Sequence, residues 1–358
     1  MIPPQVGDIT VGWLNDNLGE AFGTIAEVRS DPIGEGVGIL GEVARLDLGY
    51  ADGETGPPTV IAKCQSLFGE NVALSQSMGF YEREVRFYRE LASDLDIRVP
   101  ICHLAEMAEG GAPFVLILEE VTGARMIDQI QGADRRDCEQ VVDTVAKLHT
   151  RFWANDALDS LEWLPPMNNN LYKAAKGLTE ANMPTFADNW ASRVPAETLA
   201  WVQTLTPRYP DMLDWFVTQG AATFAHTDCR AENYLFGGSA GDDAVTVLDW
   251  QLSTRHIGAY DVANFMGQSV EVQNRRDWED DILRRYHRTL VERGVTGYPF
   301  DRCLRDYRYS LLHQAWAQVA IANIDPGNER GRRLLDAFVT RAFQAAADNN
   351  AGELIEEL

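Results

Sequence analysis

A short stretch in the second half of the chain carries residue types suited to phosphoryl transfer. It begins at His226, continues with Asp228, and has Asn233 five residues after that aspartate. Asp249 follows directly after the apolar run 245–248. Phosphoryl transfer needs a carboxylate that orients an acceptor hydroxyl and oxygen ligands for magnesium near the phosphates. We therefore assign the first role to Asp228 and metal binding to Asn233 and Asp249, whose side-chain oxygens suit Mg²⁺.

The same residues also have a simpler interpretation. Asp and Asn both favour turns, and an aspartate at the end of a strand, such as Asp249, can serve as a cap. His226 suits a hydrogen bond with the loop backbone better than a chemical step. The spacing His-x-Asp-x4-Asn is that of the kinase catalytic loop, and such a motif becomes informative when its partners occur elsewhere in the chain.

A glycine-rich segment is the first of these partners. Gly34, Gly36, Gly38 and Gly41 occur within eight residues. The spacing of Gly36, Gly38 and Gly41 matches the dinucleotide-binding fingerprint. That fingerprint must lead into a helix, whereas the segment 42–48 alternates as a strand does. In kinases a strand–loop–strand hairpin covers the nucleotide phosphates, so we assign Gly34, Gly36 and Gly38 to nucleotide binding. An ordinary flexible hairpin is the alternative.

Two charged residues complete the pattern. Lys63 ends the apolar run 59–62, in the position of the strand lysine that contacts nucleotide phosphates. Glu84 lies on a predicted helix, 81–92, whose apolar residues recur at helical spacing. We expect Glu84, in preference to Glu82 and Glu90, to pair with Lys63, because its surroundings match the motif better. A lone lysine at a strand end is usually only a surface charge, but the whole order of elements is hard to obtain by accident.

The elements predict an α+β, two-lobed protein-kinase-like fold. We expect a small N-terminal lobe, 1–121, with an antiparallel sheet and one helix, and a larger, mainly helical C-terminal lobe, 122–358. Alternating or apolar patterns bounded by Gly and Pro predict strands at 26–33, 42–48, 59–63 and 114–118. A strand pair is predicted at 234–236 and 245–248. Helical periodicity is found at 138–152, 278–293, 304–323 and 332–347.

Composition excludes several classes of function. The net charge of −23 opposes binding to a nucleic acid, because phosphate neutralisation by Lys and Arg supplies most of that affinity. No apolar run approaches the roughly 20 residues needed to cross a bilayer, and residues 1–20 lack the pattern of a signal peptide. The five cysteines are scattered without a CxxC pair, which predicts reduced thiols and a cytoplasmic protein.

Together these motifs resemble the superfamily of aminoglycoside phosphotransferases, choline kinases and ecdysteroid-kinase-like proteins, and the last branch most closely. The resemblance runs from about residue 33 to 309. It rests on Ile61-Ala-Lys63, Tyr81-Glu-Arg-Glu-Val-Arg-Phe-Tyr88, Leu116-Ile-Leu-Glu-Glu120, Leu148-His149, His226-Thr-Asp228, Leu248-Asp-Trp-Gln251 and Tyr260-Asp-Val-Ala263. It implies ATP and Mg²⁺ as cofactors and adenine docking on the main chain from Glu119 to Val121. It also implies that Asp261 anchors the catalytic loop.

Two departures from the family pattern have consequences. Thr227 stands where glycine is usual, and a positive φ there would be costly for threonine. Asp249 is followed by Trp250-Gln251, and only twelve positions separate it from Asp261. This leaves no room for a long activation segment, so we expect no protein substrate.

The insert 154–220 is expected to shape the acceptor site. Its aromatic residues suit an apolar acceptor that bears one hydroxyl, although most of them could equally be helix-packing core. They are Trp163, Tyr172, Phe186, Trp190, Trp201, Tyr209, Trp215 and Phe216. We expect Trp215 to face the acceptor. Choline-like acceptors stay open because aromatic boxes bind quaternary ammonium groups, and an aminoglycoside would need carboxylates such as Asp211, Asp214 and Glu232.

The sequence therefore predicts an ATP-dependent phosphotransferase that acts on a small-molecule hydroxyl, with an apolar or amphiphilic compound as the favoured acceptor. An aminoglycoside or choline-like amino-alcohol kinase is one alternative. A non-catalytic nucleotide-binding protein that kept the fold is another. The presence of Lys63, Asp228, Asn233 and Asp249 favours an active enzyme, because a decayed site would be expected to have lost at least one of them.

Overall fold

The computed structural model describes residues 1–19, 21–33, 40–219, 221–321, 323 and 327–358. The predicted nucleotide-binding glycines Gly34, Gly36 and Gly38 lie outside the described residues. The chain forms two compact units. The first comprises Met1–Ala124 and Gly237–Leu252, and the second comprises Arg125–Phe236 and Ser253–Leu358. The division predicted from the sequence differs in that it places the segment 237–252 in the C-terminal lobe.

Hydrogen bonds explain why the segment 237–252 belongs to the first unit. Val247 donates its main-chain N–H to the carbonyl of Arg98 at 2.9 Å. Ser239 donates to the carbonyl of Thr122 at 2.8 Å, and its hydroxyl accepts the N–H of Thr122 at 3.1 Å. Each end of the segment is thus fastened to residues that precede Ala124.

The first unit is built on a five-stranded antiparallel sheet with strand order β1-β2-β3-β5-β4. The strands are β1 Ile25–Pro32, β2 Gly41–Tyr50, β3 Thr59–Gln65, β4 Cys102–Met107 and β5 Phe114–Glu119. Alternate residues of β2, namely Ala44, Leu46 and Leu48, are buried in one apolar cluster with Leu14. The period-two pattern in the sequence therefore matches the face of the sheet that is covered.

The α+β class is confirmed, and the predicted helix 81–92 is present as α3 Phe80–Glu90, but the expectation of one helix in the N-terminal part is wrong. The described residues of the first unit also contain α1 Val11–Asn17 and α2 Gly69–Met78. α1 has only seven residues, and among the residues of α2 only Ser75 is buried. Neither helix therefore presents an apolar stripe that periodicity could reveal. β4 was also not predicted, because all six of its residues are half-buried and show no alternation.

The second unit is mainly helical. Its helices are α4 Arg135–Phe152, α5 Asp156–Asp159, α6 Asn170–Trp190, α7 Ala196–Leu205, α8 Tyr209–Thr218, α9 Ala259–Ser269, α10 Val272–Glu292, α11 Phe300–Ile321 and α12 Glu329–Asp348. Its short strands are Arg125–Met126, Ala222–Ala225, Tyr234–Phe236 and Thr254–Ile257. α9 gave no signal in the sequence because every one of its residues is buried, which leaves it without a polar face.

Local chemistry sets where the predicted helices begin. The carboxylate of Asp134 accepts the N–H of Asp137 at 2.8 Å, and Asp137 returns a bond to Asp134, a capping box that starts α4. Glu271 caps α10, which begins at Val272, six residues before the predicted start of that helix. Among the residues described, no helix has both the length and the apolar character required to cross a membrane.

Candidate active site

In the first unit, one ammonium group is shared by two carboxylates. Lys63 Nζ, on β3, lies 2.8 Å from both carboxylate oxygens of Glu84, which is on α3. It lies 3.3 Å from Oδ1 of Asp249. The side chain of Glu84 is 1% exposed, whereas that of Asp249 is 34% exposed. The predicted pairing of Lys63 with Glu84 is present in the structure, and Asp249 is the member of this triad that a ligand can reach.

The triad keeps Lys63 charged. Burial by itself lowers the pKa of Lys63, but the negative charges of Asp249 and Glu84 outweigh that effect, and the pKa is raised. A buried ammonium is stable only when opposite charges compensate the loss of water. Burial raises the pKa of Glu84, and the charge of Lys63 works against that rise. When both carboxylates are ionised, the triad has one positive and two negative charges and a net charge of −1. This charge suits the binding of a further cation beside Asp249.

An aromatic stack joins the Asp249 segment to α3. The ring of Trp250 lies on that of Phe87 with centroids 3.7 Å apart and planes 11° from parallel. Phe87 is one turn after Glu84 on α3, and both aromatic side chains are fully buried. Asp249 itself has φ of +60°, the left-handed region that Asp tolerates better than most residues. The stack and this backbone turn together aim the carboxylate of Asp249 at Lys63.

Gly41, the last glycine of the predicted loop, lies beside the same lysine. A Cβ at this position would be 3.0 Å from the carbonyl oxygen of Cys64 and 3.6 Å from Cε of Lys63. The missing side chain therefore lets β2 pair closely with β3 at the point where Lys63 emerges.

The segment predicted to dock adenine follows β5. The N–H of Glu119 donates to the carbonyl of Ile101 at 2.8 Å, and its carboxylate holds Arg98 at 2.6 Å. These bonds fix Glu119 as part of the first unit. Within the described part of the chain, the main chain of Val121 has no hydrogen-bond partner. A flat ring with a donor and an acceptor on one edge could bind there.

In the second unit, Asp261 holds the loop 226–233, which the sequence predicts to be catalytic. The loop begins after the buried strand Ala222–Ala225. One carboxylate oxygen of Asp261 accepts the N–H of His226 at 2.8 Å, and the other accepts the N–H of Thr227 at 2.8 Å. The N–H of Asp228 then donates to Nδ1 of His226 at 3.2 Å. Asp261 and His226 thus have the structural roles expected from the sequence.

A histidine and a tyrosine complete the support of Asp261. His149 Nε2 is 3.0 Å from Asp261 Oδ2, and Nδ1 is 2.8 Å from the hydroxyl of Tyr286. Burial raises the pKa of Asp261, but the hydrogen bond and charge of His149 and the bonds from His226 outweigh it, so the pKa is lowered. A Cβ at Gly258 would lie 2.4 Å from the Tyr286 hydroxyl, so only glycine fits beside this chain of groups.

Asp228 and Asn233 lie together at the end of the loop. Asn233 Nδ2 donates to Oδ2 of Asp228 at 2.9 Å and to its carbonyl at 2.8 Å. Because Nδ2 is used in this way, the amide oxygen of Asn233 is the atom that can bind a cation. Arg230 Nε also lies 3.3 Å from Oδ2 of Asp228. Among the described residues, Oδ1 of Asp228 accepts no hydrogen bond.

The predicted site residues thus fall into two sets. Lys63, Glu84 and Asp249 meet in the first unit, and Asp228 meets Asn233 in the second. Sequence reasoning did not identify Arg230 as a site residue. The signal in the sequence that could identify Arg230 is its position two residues after Asp228, inside the same motif.

The predicted role of Trp215 is wrong. Trp215 lies on α8, is 7% exposed, and packs on Tyr309 with ring centroids 3.9 Å apart. Its amphipathic helix directs it into the core of the second unit. Most of the insert aromatics are core residues, which is the alternative given for them in the sequence analysis. Phe186, Trp190, Tyr209 and Phe216 are also buried in this core. Trp163, Tyr172 and Trp201 are partly exposed.

Comparison with known proteins agrees with these motifs. The model of the ecdysteroid kinase-like family matches residues 36–295. No relative was found among curated protein sequences.

Solved structures share the fold. A Ralstonia eutropha protein provisionally named an aminoglycoside phosphotransferase is 16% identical, with a TM-score of 0.58 over 95% of this chain and 97% of that one. Choline kinase from Cryptosporidium parvum is 11% identical, with a TM-score of 0.56 over 97% and 96%. A GDP complex of aminoglycoside 2′-phosphotransferase-IIIa is 12% identical, with a TM-score of 0.51 over 92% and 94%. The predicted protein-kinase-like fold is confirmed.

The backbone at Thr227 leads to a stability prediction. Its φ is +61°, a region that costs a β-branched residue on the order of 1–3 kcal/mol. Thr227→Gly removes this cost but gives the unfolded chain more freedom, worth about 0.5–1 kcal/mol. We expect the variant to be more stable by about 1 kcal/mol in urea unfolding.

Thr185→Gly is the matched control, because Thr185 is exposed in the interior of α6. We expect it to lose about 0.5 kcal/mol, since glycine is a poorer helix former than threonine. A Thr227→Gly variant that is destabilised as much as this control would show that the loop is not strained.

Proposed function

Because the chain belongs to the ecdysteroid kinase-like family, we propose that it is a phosphotransferase that moves the γ-phosphoryl group of ATP to a hydroxyl of a small molecule. The observation that supports this most directly is the Lys63 ammonium held between a buried carboxylate, Glu84, and a reachable one, Asp249. A surface lysine with no function would have no reason to be buried with two carboxylates. Phosphate binding needs a fixed cation of this kind.

We propose that the nucleotide is bound mainly by the first unit. Gly34, Gly36 and Gly38 would approach the phosphates through their main chain, and Lys63 would contact them directly. Adenine would bind the carbonyl of Glu119 and the main chain of Val121, whose N–H is not used by other described residues. The N–H of Glu119 is already engaged with Ile101, so we assign only its carbonyl to the base.

We propose Mg²⁺ as the metal. Asp249 offers a carboxylate and Asn233 an amide oxygen, and Mg²⁺ is commonly bound by one or two such groups together with phosphates and water. The described residues contain no cluster of three or more His, Cys, Asp or Glu side chains that could hold a metal without those additional ligands. When bound, Mg²⁺ would neutralise charge on the phosphates. Glu84 would remain ion-paired with Lys63, so Asp249 would not be the only carboxylate that binds this lysine.

Asp228 would act on the acceptor. Its free oxygen, Oδ1, would accept a hydrogen bond from the acceptor hydroxyl and orient that oxygen toward the γ-phosphorus. The new P–O bond forms as the bond from the γ-phosphorus to the β–γ bridging oxygen breaks, and the electron pair of that bond leaves with ADP. The hydroxyl proton passes to Oδ1 of Asp228 as the acceptor oxygen donates its electron pair to the γ-phosphorus and its O–H group becomes more acidic. Positioning accounts for most of such catalysis.

The pairing of charges on the candidate carboxylates supports a proposal for the acceptor class. A polycationic aminoglycoside needs unpaired carboxylates, and Asp211, Asp214 and Glu232 were the candidates. Asp214 is bound by Lys173 at 2.7 Å, Glu232 by Arg230 at 3.1 Å, and Asp211 has Arg208 at 3.7 Å. The partly exposed aromatics of the insert suit apolar contact instead. We propose an apolar or amphiphilic hydroxyl compound as the acceptor.

The setting of the reaction is also a proposal. All five cysteines are free thiols, and four of them are buried. Together with the use of ATP, this supports action in the cytoplasm. The acceptor would be a small molecule and not a protein or a nucleic acid.

A first prediction separates the roles of two aspartates. Asp249→Asn should abolish the magnesium-dependent part of ATP binding, because it removes the charge that would hold the metal. Asp228→Asn should leave ATP binding within about threefold of wild type, because Asp228 faces the acceptor. The measurement is the rise in melting temperature with ATP, with and without Mg²⁺.

Both substitutions keep the shape of the side chain, and Asn tolerates the left-handed backbone of residue 249. If both folded variants lost ATP binding equally, the division of roles would be wrong. If wild type showed no melting shift at millimolar magnesium-ATP, the nucleotide site itself would be refuted.

A second prediction concerns the acceptor. A sterol-like or other apolar alcohol should be phosphorylated more efficiently than kanamycin or choline. Tyr172, on α6, is the partly exposed insert aromatic that we choose for the test. Tyr172→Ala should raise the acceptor KM about tenfold, equivalent to about 1.4 kcal/mol, and spare that of ATP.

Trp201→Ala is the matched control. Trp201 is also a partly exposed aromatic, but its ring covers Gly352, where a Cβ would lie 2.0 Å from it. This variant should lose stability and keep the acceptor KM. Efficient turnover of kanamycin with none of an apolar alcohol would overturn the proposed acceptor class.

A further inference from the structure

A line of alternating charges runs outward from Asp228 in the second unit. Arg230 Nε is 3.3 Å from Asp228 Oδ2, and Arg230 Nη1 is 3.1 Å from Glu232 Oε2. The other oxygen of Glu232 is 3.2 Å from Nη2 of Arg330, whose Nη1 is 2.9 Å from Asp128. Arg330 is on the first turn of α12. Arg230 is therefore held from both sides, and its guanidinium is fixed beside the carboxylate that would orient the acceptor.

The proposed reaction has an electrostatic difficulty at this point. Asp228 is an anion, and the phosphoryl group that must approach the acceptor beside it is an anion as well. Like charges that meet in a partly dehydrated site repel strongly. Lys63 belongs to the other unit and is already bound by Glu84 and Asp249. Arg230 is the cation that directly contacts the carboxylate of Asp228 within the described residues.

The two oxygens of Asp228 also have different surroundings. Oδ2 accepts from Asn233 at 2.9 Å and from Arg230 at 3.3 Å, whereas Oδ1 has no partner among the described residues. Two donors on one oxygen prevent the carboxylate from rotating about its Cβ–Cγ bond. The free oxygen then keeps one direction, which a positioned hydrogen-bond acceptor requires.

We propose that Arg230 is a positioning residue for phosphoryl transfer. It fixes Asp228 through Oδ2 so that Oδ1 receives the acceptor hydroxyl, and its charge offsets the repulsion between Asp228 and the arriving phosphoryl group. Glu232 and Arg330 hold the guanidinium in place. The inference rests on the proposed function, since it assigns a role within the same reaction: the acceptor oxygen bonds to the γ-phosphorus, the bridging oxygen leaves with ADP, and the proton goes to Oδ1.

The competing explanation is that Arg230 only stabilises the loop. A matched arginine tests this. The Arg230 side chain is 24% exposed and that of Arg308 is 23% exposed. Arg308 is on α11 and binds the carbonyls of Asn349 and Asn350 and the carboxylate of Glu353. Loss of either arginine should cost similar packing and ion pairing, but only Arg230 contacts Asp228.

The experiment measures ADP formation from magnesium-ATP with water as the acceptor, in wild type, Arg230→Ala, Arg230→Lys and Arg308→Ala. We expect Arg230→Ala to lower the maximal rate about 100-fold, the usual scale for removing one fixed charge from a transition state. The Kd of magnesium-ATP should stay within about threefold, because Arg230 acts through Asp228. Arg230→Lys should keep part of the rate, since it retains the charge but not the planar fork.

The rate with added guanidinium ion distinguishes a positioning role from a structural role, because a purely structural arginine would not be replaced by the free ion. At about 50 mM it should raise the rate of Arg230→Ala at least tenfold by occupying the vacated position, and it should leave Arg308→Ala unchanged. Arg308→Ala should keep the wild-type rate per folded molecule. Melting temperatures of all variants establish that the folded protein is being compared.

The outcomes separate this inference from the function on which it rests. Wild-type turnover with an equal rate for folded Arg230→Ala would overturn the role of Arg230 alone. A slow Arg230→Ala that guanidinium does not rescue, with weakened ATP binding, would show a purely structural arginine. No ADP formation by wild type with water, an apolar alcohol, kanamycin or choline as the acceptor would overturn the proposed function and this inference with it.

Discussion

A buried charge is stable only when opposite charges or hydrogen-bond donors replace the water it has lost, and both units are organised by this constraint. In the first unit it fixes Lys63 between Glu84 and Asp249. In the second it gives Asp261 three donors, two from the loop main chain and one from His149. The groups proposed to act on ligands are therefore positioned before any ligand binds.

The same compensation explains two of the unusual backbone positions. Thr227 and Asp249 both have φ near +60°, and each begins a segment whose neighbours are strongly held. The N–H of Thr227 is bonded to Asp261, and Trp250 is stacked on Phe87. Strain of this kind persists only where the surroundings over-determine the conformation. It places Asp228 and the Asp249 carboxylate where regular backbone would not.

The sequence was most informative where function and local structure share a short motif. His226 to Asn233 predicted a loop whose hydrogen bonds the structure shows, and the alternation of β2 predicted a strand. α1, α2 and α9 could not be predicted, because one is too short, one lacks a buried face and one lacks an exposed face. The role of Trp215 and the contact of Arg230 with Asp228 depend on tertiary packing, which the spacing of motif residues does not predict.

Phosphorus NMR of magnesium-ATP with a panel of hydroxyl compounds tests the central claim most directly. It distinguishes the phosphate ester of an acceptor from inorganic phosphate and from unreacted ATP in one spectrum. The account predicts that ADP and a new phosphomonoester signal grow together, strongest with an apolar alcohol, and that Asp228→Asn suppresses both. ATP that stays intact with every acceptor, in a protein that binds it, would contradict the account and favour a non-catalytic nucleotide-binding protein.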